Sequence, residues 1–258
     1  MAQEIQRYDW HLKDSIKIGR NAVWSVDILQ NIYVSNAGVV NKYDSTSALK
    51  FSQSIKSLGE LSDLIVINTM KLVYFSDEQQ ILCYMDNTLA QNEDCIRLGD
   101  RDIISATTVA KSDRSNKVWV FDDINSRLLL IDTESENTAP FVIENVRSII
   151  GEGNVAQMVE SGGRLYLNCP SSGVYIFDLY GALVGKIKDL DVRAITADQT
   201  GVYLLVNDRE LKYQSATYED PVLVSLPMMH VDDLKVTGSL VYLKSGDFVY
   251  KYSLEKSK

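Results

Sequence analysis

Short runs of alternating apolar residues, each carrying an aromatic, recur along the whole chain. Six share one pattern: Asn31-Ile32-Tyr33-Val34, Leu72-Val73-Tyr74-Phe75, Val118-Trp119-Val120-Phe121, Leu165-Tyr166-Leu167, Val202-Tyr203-Leu204-Leu205 and Leu240-Val241-Tyr242-Leu243. Successive aromatics lie 37 to 47 residues apart. Alternation among β-branched and aromatic residues predicts strands, and a fixed interval of this size predicts a repeat architecture.

Each run is followed 10 to 12 residues later by a second apolar segment, marked by Tyr43, Tyr84, Ile131, Phe177, Tyr213 and Tyr252. The intervening residues, such as Ser35-Asn36-Ala37-Gly38 and Pro170-Ser171-Ser172-Gly173, are rich in the types that tolerate positive φ or bond their own backbone. These predict hairpin turns. The second strand often ends in Asp, as at Asp44, Asp132 and Asp178, which predicts a side chain capping the turn that follows.

A further apolar stretch precedes each aromatic run, for example Leu64-Ile65-Val66-Ile67, and another follows the second strand, for example Phe141-Val142-Ile143. Four antiparallel strands in each of six units predict an all-β chain, a single six-bladed β-propeller over residues 1–258. The blades fall at about 20–55, 60–99, 103–146, 154–189, 191–226 and 231–255. No 3.6-residue period persists long enough to argue for a substantial helix. After Tyr252 too few residues remain for a fourth strand, whereas Ser15-Ile16-Lys17-Ile18 reads as a strand without a unit. The segment 15–19 is therefore expected to pair as the outermost strand of the last blade and close the ring.

Gly173-Val174-Tyr175-Ile176-Phe177-Asp178-Leu179-Tyr180-Gly181 resembles the middle-to-outer strands of quinoprotein-like and NHL-type propeller repeats, and Lys117-Val118-Trp119-Val120-Phe121-Asp122 is similar. As a pattern the resemblance spans nearly the whole chain and implies the fold; it carries no activity with it. Small exported bacterial propellers of unassigned function look alike in this plain style. The Ser-x-Asp-x-Gly-x-Thr-Trp turn of sialidases, the Gly-His and Trp-Asp pairs of WD repeats and the double glycines of kelch repeats are all missing. Asp27, Asn68 and Glu160 hold places like the calcium-holding positions of lactonase-type propellers, but they share no motif and read first as ordinary strand-end polar residues.

Composition narrows the function classes. The chain carries 26 Lys+Arg against 35 Asp+Glu, a formal net charge of −9, and no basic block, so it lacks the footprint of a nucleic-acid binder. No apolar run is long enough to predict a transmembrane helix. The 14 tyrosines supply the repeat, and the scarcity of proline, 4 in all, suits strands that must donate every backbone N–H.

Two histidines, His11 and His230, leave little for a Ser-His-Asp arrangement or a His-rich metal centre. No catalytic residue, metal or cofactor is expected. The linkers between blades carry the candidate surface instead. They supply Arg20 and Asn21, Glu60 and Asp63, Asp100, Arg101 and Asp102, Arg147, Glu152 and Asn154, then Asp189, Asp191 and Arg193. Arg20, Arg101, Arg147 and Arg193, with His230 and Asp233 from the last linker, are the candidate partner-binding residues, because Arg favours planar bidentate contacts. The same residues also read as a solvated face of paired loop charges, and His230 as a surface histidine beside acids.

The reading that follows is a non-catalytic protein-interaction or scaffold module. It would bind a protein partner through its inter-blade loops, with peripheral association to a bacterial envelope assembly. The alternative is a propeller hydrolase or lyase with a cation or small ligand in the central channel. Ala2-Gln3 resembles the residues around a signal-peptidase cut, which gives an expectation of periplasmic or other export; the alternative is a cytoplasmic start. Cys83 and Cys95 sit on adjacent predicted strands, and Cys169 precedes a proline turn. Adjacent strands could bring Cys83 and Cys95 into disulfide range, and buried free thiols are the favoured expectation.

Overall fold

In the computed structural model the chain is all-β, and its six antiparallel sheets are the blades of a β-propeller fold. The structure describes residues 5–6, 8–91, 95–134, 138–217 and 221–256. These fall into two compact units, residues 21–151 and residues 1–20 with 152–258.

The first unit holds blades one to three. Blade one runs Val23–Val26, Ile32–Asn36, Val39–Tyr43 and Leu49–Ser54; blade two runs Asp63–Asn68, Lys71–Ser76, Ile81–Asp86 and Ile96–Arg97. Blade three runs Ala106–Lys111, Lys117–Asp122, Arg127–Asp132 and Phe141–Ile143. Each sheet pairs its strands in chain order. The second strands are the most buried: Tyr33, Tyr74 and Trp119 are all fully enclosed. Between blades two and three, Val73, Phe75 and Tyr84 of one sheet share a core cluster with Val109, Val118 and Val120 of the next. Apolar residues on both faces of a strand thus serve two sheet-to-sheet contacts, which is why the repeat reads as nearly continuous hydrophobic runs.

The other unit holds blade four (Gln157–Ser161, Arg164–Cys169, Gly173–Asp178, Leu183–Ile187) and blade five (Val192–Asp198, Gly201–Val206, Glu210–Ser215, Val222–Val224). Blade six has Asp233–Thr237, Leu240–Ser245 and Phe248–Lys256, and its fourth strand is Tyr8–Lys17 from the start of the chain. That strand pairs antiparallel with Phe248–Lys256, from Lys17 opposite Phe248 to Tyr8 opposite Lys256. The expected pairing of 15–19 with the last blade is thus present, and it begins earlier, at Tyr8. Trp10 fixes the extension by donating its indole N–H to the Ser225 carbonyl at 2.7 Å and meeting Tyr252 edge-on at 5.5 Å. Ile5–Gln6 also adds a short parallel strand to the outer edge of blade five.

The strand-end aspartates do cap their turns. Asp44 Oδ1 accepts from the backbone N–H groups of Thr46 and Ala48, Asp178 Oδ1 from Tyr180 and Ala182, and Asp132 Oδ1 from Glu134. Asp86 repeats the motif with Thr88 and Ala90. In the Asp44, Asp86 and Asp178 turns the residue three positions on, Ser47, Leu89 or Gly181, takes the left-handed conformation. This is a tight turn followed by a bulge residue, repeated between third and outer strands.

One expectation fails. Cys83 and Cys95 are joined by a disulfide, their Cα atoms 4.2 Å apart, and only Cys169 is a buried free thiol. Ile96 lies opposite Leu82 in blade two, so antiparallel register sets Cys95 directly across from Cys83. Facing positions without ladder hydrogen bonds bring Cα atoms to about 4.5 Å, close enough for the bond.

Candidate functional site

Two loop clusters carry the candidate residues, one in each unit. In blade three the linker before the first strand and the hairpin between Asp122 and Arg127 are tied together by one carboxylate. Asp122, fully buried, accepts from the backbone N–H of Ser105 at 3.1 Å and of Ile104 at 3.3 Å, and from the Asn125 side-chain amide at 2.8 Å. Arg127 Nε adds a fourth donor at 3.3 Å. Burial pushes this carboxyl upward, but the hydrogen bonds to its charged form outweigh it and leave the pKa below the usual carboxylate range.

Arg127 then reaches with Nη2 to the Asp102 backbone carbonyl and to Asp102 Oδ2, so the linker is held at a second point. Neither Asp122 nor Arg127 stood out in the sequence as a site residue. The one available signal was an acid at the strand end and a base across the hairpin, facing each other in register.

The predicted residues of this unit divide. Arg147 lies on the single helical turn Val146–Ile150, pairs with Asp123 and stands over the Phe121 ring at 5.7 Å. These contacts join the helical turn to the hairpin. Arg101 ends the short 3-10 turn Leu98–Arg101 in the linker, half-buried, and makes no ion pair among the described residues. Beside them two apolar side chains project outward: Ile104 from the linker, 56% exposed, and Ile124 from the hairpin tip, 66% exposed. Asn21 and Glu60 line a separate cleft of about 340 Å³, and Asp63 caps the N–H of Leu64.

In the other unit Arg20, His230, Asp232, Lys244, Ser245 and Gly246 line a cavity of about 630 Å³. Arg20, the linker entering blade six and the hairpin of blade six build it. His230 Nδ1 lies 2.7 Å from Asp208 Oδ2, and Arg209 Nε donates to Asp208 Oδ1 at 3.1 Å. The His230 contact, foremost, holds the Asp208 carboxyl below its usual range. Arg193 approaches Asp232 Oδ1 at 3.6 Å. Asp233, the other candidate, turns to Leu234 N and to Lys235 at 3.7 Å. Asp189 is bound to Lys212 at 2.5 Å. Thus Arg20, Arg193 and His230 are brought together here, and Arg101 and Arg147 form a second cluster in the first unit.

Two of the three positions compared with calcium-holding propellers, Asp27 and Asn68, are engaged locally, and the third, Glu160, is buried. Asp27 is buried and accepts from Asn31 N, Asn31 Nδ2 and Tyr33 OH, the last at 3.0 Å. Asn68 caps Met70 N at 2.8 Å. Among the described residues no group of three or more His, Cys, Asp or Glu is placed to hold a metal ion.

No known protein-family model matches this sequence, and no curated protein does. Solved structures do match its backbone. The WD40 domain of Neurospora crassa Pan2 covers 97% of this chain and 97% of its own, with a TM-score of 0.65 and 8% identity. The β-propeller domain of Myceliophteria thermophila Cps50 (Swd1) covers 96% and 100%, with 0.69 and 10%. Virginiamycin B lyase from Staphylococcus aureus covers 96% and 100%, with 0.65 and 8%. Similarity at this identity shows the fold alone.

Proposed function

We propose that this protein is a non-catalytic interaction or scaffold module that binds a protein partner through its inter-blade loops, with blade three as the principal contact. The observation that carries this reading is the pair Ile104 and Ile124, both more than half exposed, on two loops that the buried Asp122 carboxylate locks together. Rigidly presented apolar side chains beside arginine are the composition of an interface centre, where little ordering entropy remains to be lost on binding. Arg101 supplies the flanking charge, and Arg147 holds the hairpin. Likeness to WD40 propellers fits the same reading.

The partner is placed in a bacterial envelope assembly, with this chain exported. The Cys83–Cys95 disulfide supports that setting, because such bonds persist in oxidising compartments. The alternative, a hydrolase or lyase holding a cation or small ligand, draws support from the Asp208–His230 pair beside a cavity and from likeness to a propeller lyase. Calcium titration followed by melting temperature separates the two, since a bound cation stabilises the fold by mass action.

The direct test is tagged capture from the source organism with the native chain and an Arg101→Glu/Ile124→Asp variant. Loss of a co-purifying protein in the variant, with its melting temperature unchanged, is the expected result. Equal recovery of every co-purifying protein overturns the reading.

A further inference from the structure

The cavity at the loops of blade six has more cations than acids in its lining. Asp232, the acid in that lining, is committed, and so is Asp208 behind His230. Asp232 Oδ1 faces Arg193 and its Oδ2 accepts from Gly246 N at 2.8 Å. Asp208 has one oxygen on His230 and the other on Arg209. Among the described residues neither cation on the wall forms an ion pair with a carboxylate. Lys244 is only 7% exposed, and its Nζ donates to the Arg20 backbone carbonyl at 2.7 Å, a neutral acceptor. Arg20, exposed beside it, makes no side-chain ion pair among the described residues. A desolvated ammonium is costly without an opposing charge; Lys42, equally buried in the first unit, also donates to a backbone carbonyl, that of Asn87 at 2.9 Å, but lies in addition over the rings of Tyr33 and Phe51.

His230 is a surface side chain, 70% exposed, held in position by its neighbours. Its backbone φ is +59°, the left-handed region, and its carbonyl accepts from Ser245 Oγ at 2.8 Å. The next residue, Val231, donates its N–H to the Asp208 carbonyl at 3.1 Å, so the hairpin that binds the imidazole also fixes its backbone. With Nδ1 occupied by Asp208, Nε2 is the ring nitrogen left for a ligand. A constrained backbone at a polar cavity wall is a common mark of a binding site.

We propose that this cavity binds a small multiply charged oxyanion, received by Arg20, Lys244 and the Nε2 edge of His230. Arg20 contributes a planar fork of donors, Lys244 its two remaining N–H groups, and His230, its Nδ1 set against the Asp208 carboxylate, presents its Nε2 edge. The shared chemistry is that of phosphoryl and clustered carboxylate oxygens, held within a protein whose overall charge is −9. The inference concerns blades five and six and stands apart from the partner surface of blade three.

The test is an NMR titration of the full chain that follows its two histidine rings. Inorganic phosphate and citrate serve as probes and sodium chloride as the ionic-strength control. His11, paired with Glu255 at 3.9 Å, is the internal reference. A saturable shift of the His230 ring with phosphate or citrate, while His11 follows the salt control, is expected. Preference for phosphate assigns a phosphoryl ligand, and preference for citrate a carboxylate one. Arg20→Ala and Lys244→Met should each weaken binding by about tenfold or more, the scale of one charge-assisted contact. Arg114→Ala, an exposed change of equal charge on blade three, should not. The proposal is overturned if neither anion moves His230 beyond the salt control, or if Arg20→Ala and Arg114→Ala weaken binding equally.

Discussion

Arg127 and Asp122 face each other across a hairpin of blade three, Nε to Oδ2 at 3.3 Å, and their contact holds the linker against that hairpin. Asp122 is fully buried and Arg127 largely so. Asp122→Asn keeps the shape but removes the charge that four donors address, at an expected cost of about 2–3 kcal/mol. Because the folded pKa is depressed, the charge contributes stability above the unfolded value of about 3.9 and loses it as pH falls through the folded one. The gap between native and variant proteins in urea unfolding should therefore be full at pH 7 and shrink below about pH 4. An equal gap at pH 7 and pH 3 would contradict the assignment.

Removal of residues 1–17 should destabilise the protein far more than an ordinary terminal trim. It takes away the outer strand of blade six, the Trp10–Ser225 hydrogen bond and the cover over Phe248–Lys256. A melting temperature lower by on the order of 10 °C, or loss of soluble protein, is expected. An unchanged melting temperature would mean that the strand contributes little.

Titration of unreduced, unfolded protein with a thiol reagent should count one free cysteine, Cys169. Reduction of Cys83–Cys95, which closes a loop with a sequence separation of 12, should lower stability by about 3 kcal/mol. Three reactive thiols before reduction would remove both the bond and its support for export.

Ala37 and Gly38 join the second and third strands of blade one with positive φ at both positions, 50° and 75°. A two-residue turn of this kind suits Asn-Gly or Gly-Gly, and alanine is strained at the first place. Ala37→Asn or Ala37→Gly should stabilise the protein by about 0.5–1 kcal/mol in denaturant unfolding. A loss of stability would show that the turn conformation is otherwise than described.

Much of this architecture was legible because the repeat lies in the residues that do the packing. Tyr33, Tyr74, Trp119, Tyr166, Tyr203 and Tyr242 all fall on second strands, where both faces meet neighbouring side chains. The stretch from Tyr8 to Asp14 was hidden for a physical reason. It is an outer strand whose alternate residues, Asp9, His11 and Lys13, are exposed, and a bulge between Leu12 and Asp14 breaks its period. The disulfide depended on register, which spacing between strands does not determine. The candidate sites were less legible still. Arg20, Arg193 and His230 converge, but their relation to Asp208, Asp232 and Lys244 arises from hairpins distant in sequence. The contacts of Arg147 with Asp123 and Phe121 likewise depend on a fold that brings the helical turn against the hairpin.

The central claim, that blade three meets a protein partner, is tested most directly by photocrosslinking in the source organism. A photoreactive amino acid is placed at position 104, 124 or 28 in otherwise native chains. Ile28, 78% exposed in the turn of blade one, controls for exposure alone. Discrete adducts of one partner from positions 104 and 124, with none from position 28, are the predicted result. Adducts from position 28 alone, or equally from all three, would contradict it.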